Sequence, residues 1–507
     1  MGRFIGKTAA WMGGLLWGAA LLGCGLLYRP FRDQNPNNCN HAPEICATDE
    51  QCNADTGYCV KRPVDMADAP DMTAAAPTIS GVTPPAAANS AVTALTLTGT
   101  GFRTGATVLV GGVACTQVNV VSPTQITCSY PGKAMTCGGQ SIVVTHPDDQ
   151  KSGTLPAAMG LKLTSLGFGA AANFATGMSP YAVIVGDFNG DQKADLATAN
   201  YNGNNASILL GDGMGGFAAA VDFATGSRPI GLASGDFNGD QVLDLAVANN
   251  SGGSVSVLIG NGMGGFSAPT NYTAGTNPVG VAVADFNGDQ KADLVVTNGQ
   301  SANVSIFIGN GMGSFGAATN YSVGTQPVSV VVSDFDSDQK LDLVVANQTS
   351  GTLSLLLGNG AGSFGNATNF PVGLQPLVVV TGDFNKDQKP DVATANYGSN
   401  NASVLLGDGA GGFTAATNYA VGSSPRSLAQ GDLNGDGVLD LAVPNSVSNN
   451  TSVLLGDGMG GFSAAPNVTT ANIFSVALAD LNGDQRLDLV GAVFGSSQAT
   501  VLLSPCQ

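Results

Sequence analysis

The chain has 507 residues, of which 43% are hydrophobic and only 11% charged, and its formal charge is −18. Such a length can bury several large cores, about three domains by length alone. No Lys/Arg cluster accompanies the acidity, which excludes a nucleic-acid partner.

Residues 1–23 carry a basic start (Arg3, Lys7), an apolar run from Ala9 to Gly23 and small residues near its end, the pattern of a secretory signal. The run falls short of the roughly 20 residues a membrane-spanning helix needs. Its tail, Leu21-Leu22-Gly23-Cys24, resembles a bacterial lipobox, which implies cleavage before Cys24 and lipidation of that residue. Gly25 rather than Asp follows, and in the bacterial sorting pattern this implies an outer membrane lipoprotein, exposed on the cell envelope.

Residues 24–76 form the lipid anchor, a Cys-rich segment and a linker. One of the nine cysteines is assigned to lipid, leaving eight to pair, as an oxidising compartment allows. Cys39, Cys46, Cys52 and Cys59 have three possible connectivities. A Zn²⁺ site with His41 is disfavoured, because no CxxC pair is present and the chain is secreted. The stretch VDMADAPDMTAAAP reads as an extended linker that holds the C-terminal domains away from a membrane.

Residues 77–163 show short β-prone runs with Gly/Pro punctuation (ALTLTGTGF, ATVLVGGVAC, QITCSYP, QSIVVTH), which predict a β-sandwich. The opening P-x-I-x-x-V-x-P, the TGTGF, the VGG-x-x-C and the I-x-C resemble the IPT/TIG family of immunoglobulin-like domains. The resemblance implies a Cys115–Cys128 disulfide and a spacer or binding module. Cys137 and Cys506 are left over, and their pairing would staple this domain to the chain's end. His146 is read as a surface turn residue.

Residues 164–507 repeat. Near-copies of DFNGDQKAD begin at Asp187, Asp236, Asp285, Asp334, Asp383, Asp432 and Asp480, in steps of 49 residues with a last step of 48. Each copy has carboxylates at positions one, five and nine with Asn or Asp at three, so alternate oxygens can converge on one Ca²⁺. Unscreened by a cation, each carboxylate pair would repel by roughly 4 kcal/mol at an effective dielectric near 20. Asn-Gly and Asp-Gly are common turn formers, yet seven copies in register argue for metal. No Glu stands at position twelve (Thr198, Val247) and the flanks alternate as strands do, which excludes an EF-hand. These loops hold 22 of the 36 carboxylates, and seven Ca²⁺ would bring the charge to about −4.

Four β-type runs per period predict propeller blades. The turn GNGMGSFG and its variants place Phe217, Phe266, Phe315, Phe364, Phe413 and Phe462 in register as inter-blade core. The segment Gly167 to Gly177 matches a fourth strand, and the seventh copy lacks one, so the N-terminal strand is expected to complete the last blade. The predicted fold is all-β: a seven-bladed β-propeller preceded by an immunoglobulin-like sandwich.

The D-x-[DN]-x-D-x-x-x-D loops and the FGAATNY-type strands resemble the FG-GAP/VCBS family, best known from the integrin α-subunit propeller. The resemblance implies structural Ca²⁺, up to seven ions, on the face opposite the usual ligand face. By that likeness the side-chain ligands are Asp187, Asn189, Asp191 and Asp195; Asp236, Asn238, Asp240 and Asp244; Asp285, Asn287, Asp289 and Asp293; Asp334, Asp336, Asp338 and Asp342; Asp383, Asn385, Asp387 and Asp391; Asp432, Asn434, Asp436 and Asp440; and Asp480, Asn482, Asp484 and Asp488. The carbonyls of Lys193, Val242, Lys291, Lys340, Lys389, Val438 and Arg486 would fill position seven. At position six, where the family prefers Gly, six loops have Gln and only Gly437 conforms.

Both histidines lie outside the repeats and no copy breaks register to bring in a nucleophile, so no catalytic residue is expected. The face opposite the acid loops is the expected ligand face. It carries Asn-rich loops, Arg228 and Arg426, and two tyrosines, Tyr201 and Tyr397, read as lip aromatics or, more simply, loop packing. The expected function is binding or adhesion to a protein or matrix partner by a monomer. A lectin-like glycan binder is the alternative, and a calcium-dependent polysaccharide-degrading enzyme the lesser one. Trp11 and Trp17 both lie in the leader, which weakens sugar recognition by ring stacking. The copies are so alike that no blade is singled out.

Overall fold

The computed structural model describes residues 50–52, 59–61, 75–83, 93–131, 140–147, 150–159 and 167–504. The signal segment, Cys24, most of the linker, Cys137 and Cys506 lie outside them. Of the Cys-rich segment one backbone hairpin is described, Glu50–Cys52 against Cys59–Lys61.

Between Thr78 and Met159, short strands form two antiparallel sheets. One orders Thr78–Thr83, Thr93–Thr100, Gln125–Tyr130 and Thr116–Ser122; the other orders Ser152–Met159, Gln140–Thr145, Thr107–Val110 and Val113–Ala114. Alternation turns Leu95, Leu97, Val108, Val110, Ile126, Tyr130, Ile142 and Val144 into one core. Cys115 and Cys128 are disulfide-bonded with Cα atoms 5.9 Å apart. The surface reading of His146 is corrected: the residue is fully buried, with Nε2 2.8 Å from the Gly101 carbonyl oxygen. A ring nitrogen there satisfies a loop carbonyl of TGTGF, a need that arises only when distant segments meet.

The repeats fold into seven blades. The first contains Pro180–Gly186, Asp195–Asn200, Asn205–Leu209 and Val221–Ala224, joined antiparallel in chain order. Burial decides the character of each strand. The second, DLATAN here, has every residue buried, whereas the fourth is largely exposed. First strands pack on the first strands of both neighbouring blades, blade seven against blade one included, so they form the inner circle of a closed ring. Serines help: Ser329, Ser427 and Ser475 Oγ accept the amides of Val379, Val476 and Val183, the last across the closing seam. The seventh sheet takes Ile473–Ala479, Asp488–Val493 and Gln498–Leu502 from the C-terminal end and Ala172–Ala175 from the N-terminal end, with Ala172 opposite Val501. Closure thus completes the seventh sheet and leaves only short outer strands as edges.

Blade six departs. Its first strand is reduced to Ala429–Gly431, because Pro444 in the second strand accepts the Arg426 amide at 3.1 Å and has no N–H to return. Its fourth strand is split into Phe462–Ala464 and Val468–Thr469.

Aromatic rings fill the seams. Phe315, on the glycine turn of blade three, meets Phe237 and Tyr272 of blade two edge-on, with centroids 5.4 and 5.6 Å away. Phe266, Phe364, Phe413 and Phe462 make equivalent pairs, and Phe217 meets Phe174 on the closing strand at 5.2 Å. Beside each ring the turn's second left-handed glycine donates to the acid loop of the preceding blade: the Gly313 amide reaches the Phe237 carbonyl at 2.7 Å, and Gly215 crosses from blade one to Leu481 of blade seven at 3.0 Å. Phe315→Ala is expected to cost about 3–5 kcal/mol in urea unfolding. Met312→Ala on the same turn, where the side chain is 76% exposed, should stay within about 0.5 kcal/mol of the parent.

Candidate functional site

Each acid loop joins the first strand to the second, at one end of its blade. In the first loop Asp187 gathers four backbone amides: Oδ1 accepts from Asn189, Gly190 and Asp191 at 3.3, 2.7 and 3.2 Å, and Oδ2 from Gln192 at 2.7 Å. Asn189 Oδ1 then accepts from the Asp191 amide, and Asp191 Oδ1 from the Lys193 amide, both at 3.0 Å. These are nested Asx turns. The curl requires left-handed backbone at positions four and six. Glycine serves at position four in five loops, with Ser337 and Lys386 in the others. At position six glutamine adopts it, with φ of 63° at Gln192 and 66° at Gln241, beside 77° at Gly437. The departure from glycine therefore leaves the loop's path unchanged, at roughly 1–2 kcal/mol for each such residue.

Position nine has a different task. Asp195 opens the second strand and is fully buried; its Oδ2 accepts the Phe188 amide at 2.9 Å and its Oδ1 the Gly211 amide at 2.7 Å. The same two bonds recur at Asp244, Asp293, Asp342, Asp391, Asp440 and Asp488. Gly211 must be glycine, because a Cβ would stand 2.1 Å from the Ala194 carbonyl oxygen. One carboxylate thus ties the acid loop, the second strand and the glycine turn together. Each of its oxygens keeps a further lone pair.

Burial pushes the carboxyls of Asp244, Asp342, Asp440 and Asp488 up to about 6; the amide bonds oppose the rise, and neighbouring carboxylates of the same loop add to it. Asp195, Asp293 and Asp391 are raised for the same reasons. In the fourth loop the carboxylate oxygens of Asp334, Asp336 and Asp338 lie within 4.8 Å of one another. Lys193, Lys291, Lys340 and Lys389 bring Nζ to 3.4, 3.2, 2.7 and 3.9 Å from the position-five carboxylate, but such exposed pairs contribute only about 0–1 kcal/mol each. An all-oxygen donor set whose position-nine carboxylate is raised by burial, with its neighbours' charge adding to the rise, suits a hard divalent cation.

The strand directions place the other loops at the opposite end of each blade. Part of the Asn-rich character there is structural: Asn200 is buried, and its Nδ2 donates to Asn205 Oδ1 and Ser207 Oγ at 2.8 and 2.7 Å. Tyr201 and Tyr397 are half-buried, beneath the guanidinium groups of Arg228 and Arg426 at 5.4 and 5.1 Å. Arg426 also lies 4.0 Å from the Phe474 centroid. The expectation that no blade is singled out is corrected here, since these rings gather in one sector. Sequence reasoning missed Tyr181, Phe474 and Phe494. The available signal was a change of residue type at the second residue of the first strand, for Tyr181 and Phe474, and at the residue after the second strand, for Phe494.

The raised carboxyls give a signed prediction. The folded chain holds their protons more tightly than the unfolded chain, whose carboxyls titrate near 4, so folding loses stability as pH rises from about 4 to about 6. In chelator the melting temperature should therefore rise as pH is lowered from 7 to 5, read by calorimetry. With calcium the trend should reverse, because protons compete with the cation.

The FG-GAP-like repeat matches residues 187–247, 236–296, 285–345, 334–394 and 383–443, which together span half of the chain, and the IPT/TIG domain matches residues 77–157. A search of curated proteins found no match. Among solved structures, the chain is similar to BBS1N in complex with ARL6DN, at 17% identity and a TM-score of 0.48, covering 67% of this chain and 98% of that one. It is similar to an auxiliary nutrient binding protein from Bacteroides ovatus, at 12% identity and a TM-score of 0.44, covering 84% and 98%. It is also similar to an Agrocybe aegerita lectin that recognises non-reducing terminal N-acetylglucosamine, at 16% identity and a TM-score of 0.43, covering 80% and 97%. The period, the loops and the match over residues 187–443 make this chain a member of the FG-GAP-like repeat family, with an IPT/TIG domain ahead of the ring.

Proposed function

We propose that the protein is a non-catalytic binding module at the bacterial cell surface, held to the outer membrane by lipid on Cys24, which takes a matrix or protein partner through the face opposite its acid loops. The observation that carries this is the division of labour between the two ends of the blades. At one end every loop repeats the carboxylates of positions one, five and nine in a shared core of hydrogen bonds, the behaviour of structure. At the other end the loops between Thr176 and Ser497 contain no carboxylate and depart from the repeat in sequence, with Tyr201, Arg228, Tyr397 and Arg426 as the larger departures. Variation on a rigid scaffold is where recognition resides.

Calcium is part of the proposal. The carboxylates of positions one, five and nine, the oxygen of position three and the carbonyl of position seven would hold one ion per loop. When bound, the ion would neutralise each loop's charge and stiffen it against the seam.

A glycan partner is the second reading, and the arginines set on half-buried rings favour it. Applied to an array of glycans and matrix proteins in calcium buffer, the full chain should be retained by at least one ligand. The double variant Tyr201→Ala/Tyr397→Ala should lose that retention about tenfold, and Met214→Ala, at an exposed site on the acid-loop end, should keep it. Retention that follows Met214 and ignores the tyrosines would place recognition at the wrong end and overturn the proposal.

A further inference from the structure

We propose that one sector of this face, shared by blades five, six, seven and one, is a recognition site for an acidic, uronate-bearing polysaccharide, with Arg426 as its anchor. The inference rests on the reading of that face as the binding face and adds to it a location and a ligand chemistry.

Two breaks in the repeat meet there. At the second residue of the first strand, blades two to five carry Ile230, Val279, Val328 and Leu377, whereas the next three around the ring carry Arg426, Phe474 and Tyr181. At the residue after the second strand, blades five, seven and one carry Tyr397, Phe494 and Tyr201. Phe474 and Phe494 stack with centroids 4.6 Å apart and planes inclined by 10°. Tyr181 stands edge-on to both, at 5.5 and 6.2 Å, and Tyr201 lies 6.1 Å from Phe494. The guanidinium of Arg426 sits between Phe474 and Tyr397, 4.0 and 5.1 Å from their centroids. These rings are half-buried rather than sealed in a core.

The charge rests on ring faces and has no carboxylate beside it among the described residues. Arg426 Nε is buried without a hydrogen-bond partner, and its guanidinium has no ion pair among the described residues. The other basic side chains of the ring, Arg228 apart, belong to the acid loops at the far end. A half-buried cation with no counter-ion suits an anion, and a planar guanidinium takes a carboxylate in two parallel hydrogen bonds. A uronic acid joins that carboxylate to a ring whose C–H face packs on aromatics. Its hydroxyls match the neutral amide and hydroxyl groups at the sector's rim, such as Asn202 and Ser179, whose Nδ2 and Oγ lie 2.9 Å apart beside Tyr181. Burial also pushes the Tyr181 hydroxyl up, against the pull of Arg426, so it remains a neutral donor.

The test is titration of the full chain with tetragalacturonic acid, followed by calorimetry. Its methyl ester and tetraglutamate serve as controls. Tetragalacturonate should bind, the methyl ester should not, and Arg426→Ala should weaken binding at least about tenfold with the melting temperature unchanged. Arg426→Lys, which keeps the charge but not the fork, should weaken it several-fold, and it decides the matter if Arg426→Ala does not fold. Absence of tetragalacturonate binding, equal binding of the ester, stronger binding of tetraglutamate, or unchanged affinity in the Lys variant would each overturn the inference. None of these would touch the broader binding role, which the array decides separately.

Discussion

A single buried carboxylate per blade holds the ring's geometry in place. Asp195 and its six counterparts each accept two backbone amides, one from the start of the acid loop and one from the glycine turn, or in blade seven from Ser504 just after the third strand. Desolvating a carboxylate is expensive, and here two short charge-assisted bonds offset part of the cost. The chain is thereby pinned where it leaves the first strand, enters the second and leaves the third. Replacement of one such Asp would leave two amides unpaired at once.

That pin also decides where the seams close. With the loop fixed, its second residue (Phe188, Phe237, Phe286, Phe335, Phe384) is held buried against the ring of the next blade's glycine turn. The loop's carbonyl accepts an amide from the same turn. The acid loops are therefore interface elements, and whatever stiffens them stiffens the contact between blades. A cation held by the position-one and position-five carboxylates, as proposed above, would therefore act on the seam as well as on the loop.

The period, the four strands per blade, the seam phenylalanines and the closing strand were legible from residues 167–504 because repetition multiplies weak local signals. Elsewhere the fold depended on contacts between distant segments. His146 looked like a turn residue until Gly101, far off in sequence, presented it with a carbonyl. Pro444 removed a ladder bond in blade six that only the paired strand reveals. Arg426, Phe474 and Tyr181 were three inconspicuous substitutions in three separate copies, and they form a cluster only because the ring brings blades six, seven and one side by side. The Gln residues at position six illustrate the converse: a departure visible in the sequence that leaves the backbone path intact.

The most direct test of calcium as the staple of this ring is calorimetric titration of the metal-free chain with Ca²⁺, combined with thermal melting in calcium and in chelator. Uptake of up to seven ions, with a large fall in melting temperature on chelation, is the expected result. No uptake, with identical melting in both buffers, would mean that the Asx turns and buried aspartates hold the loops alone, and the acid face would have to be explained without metal.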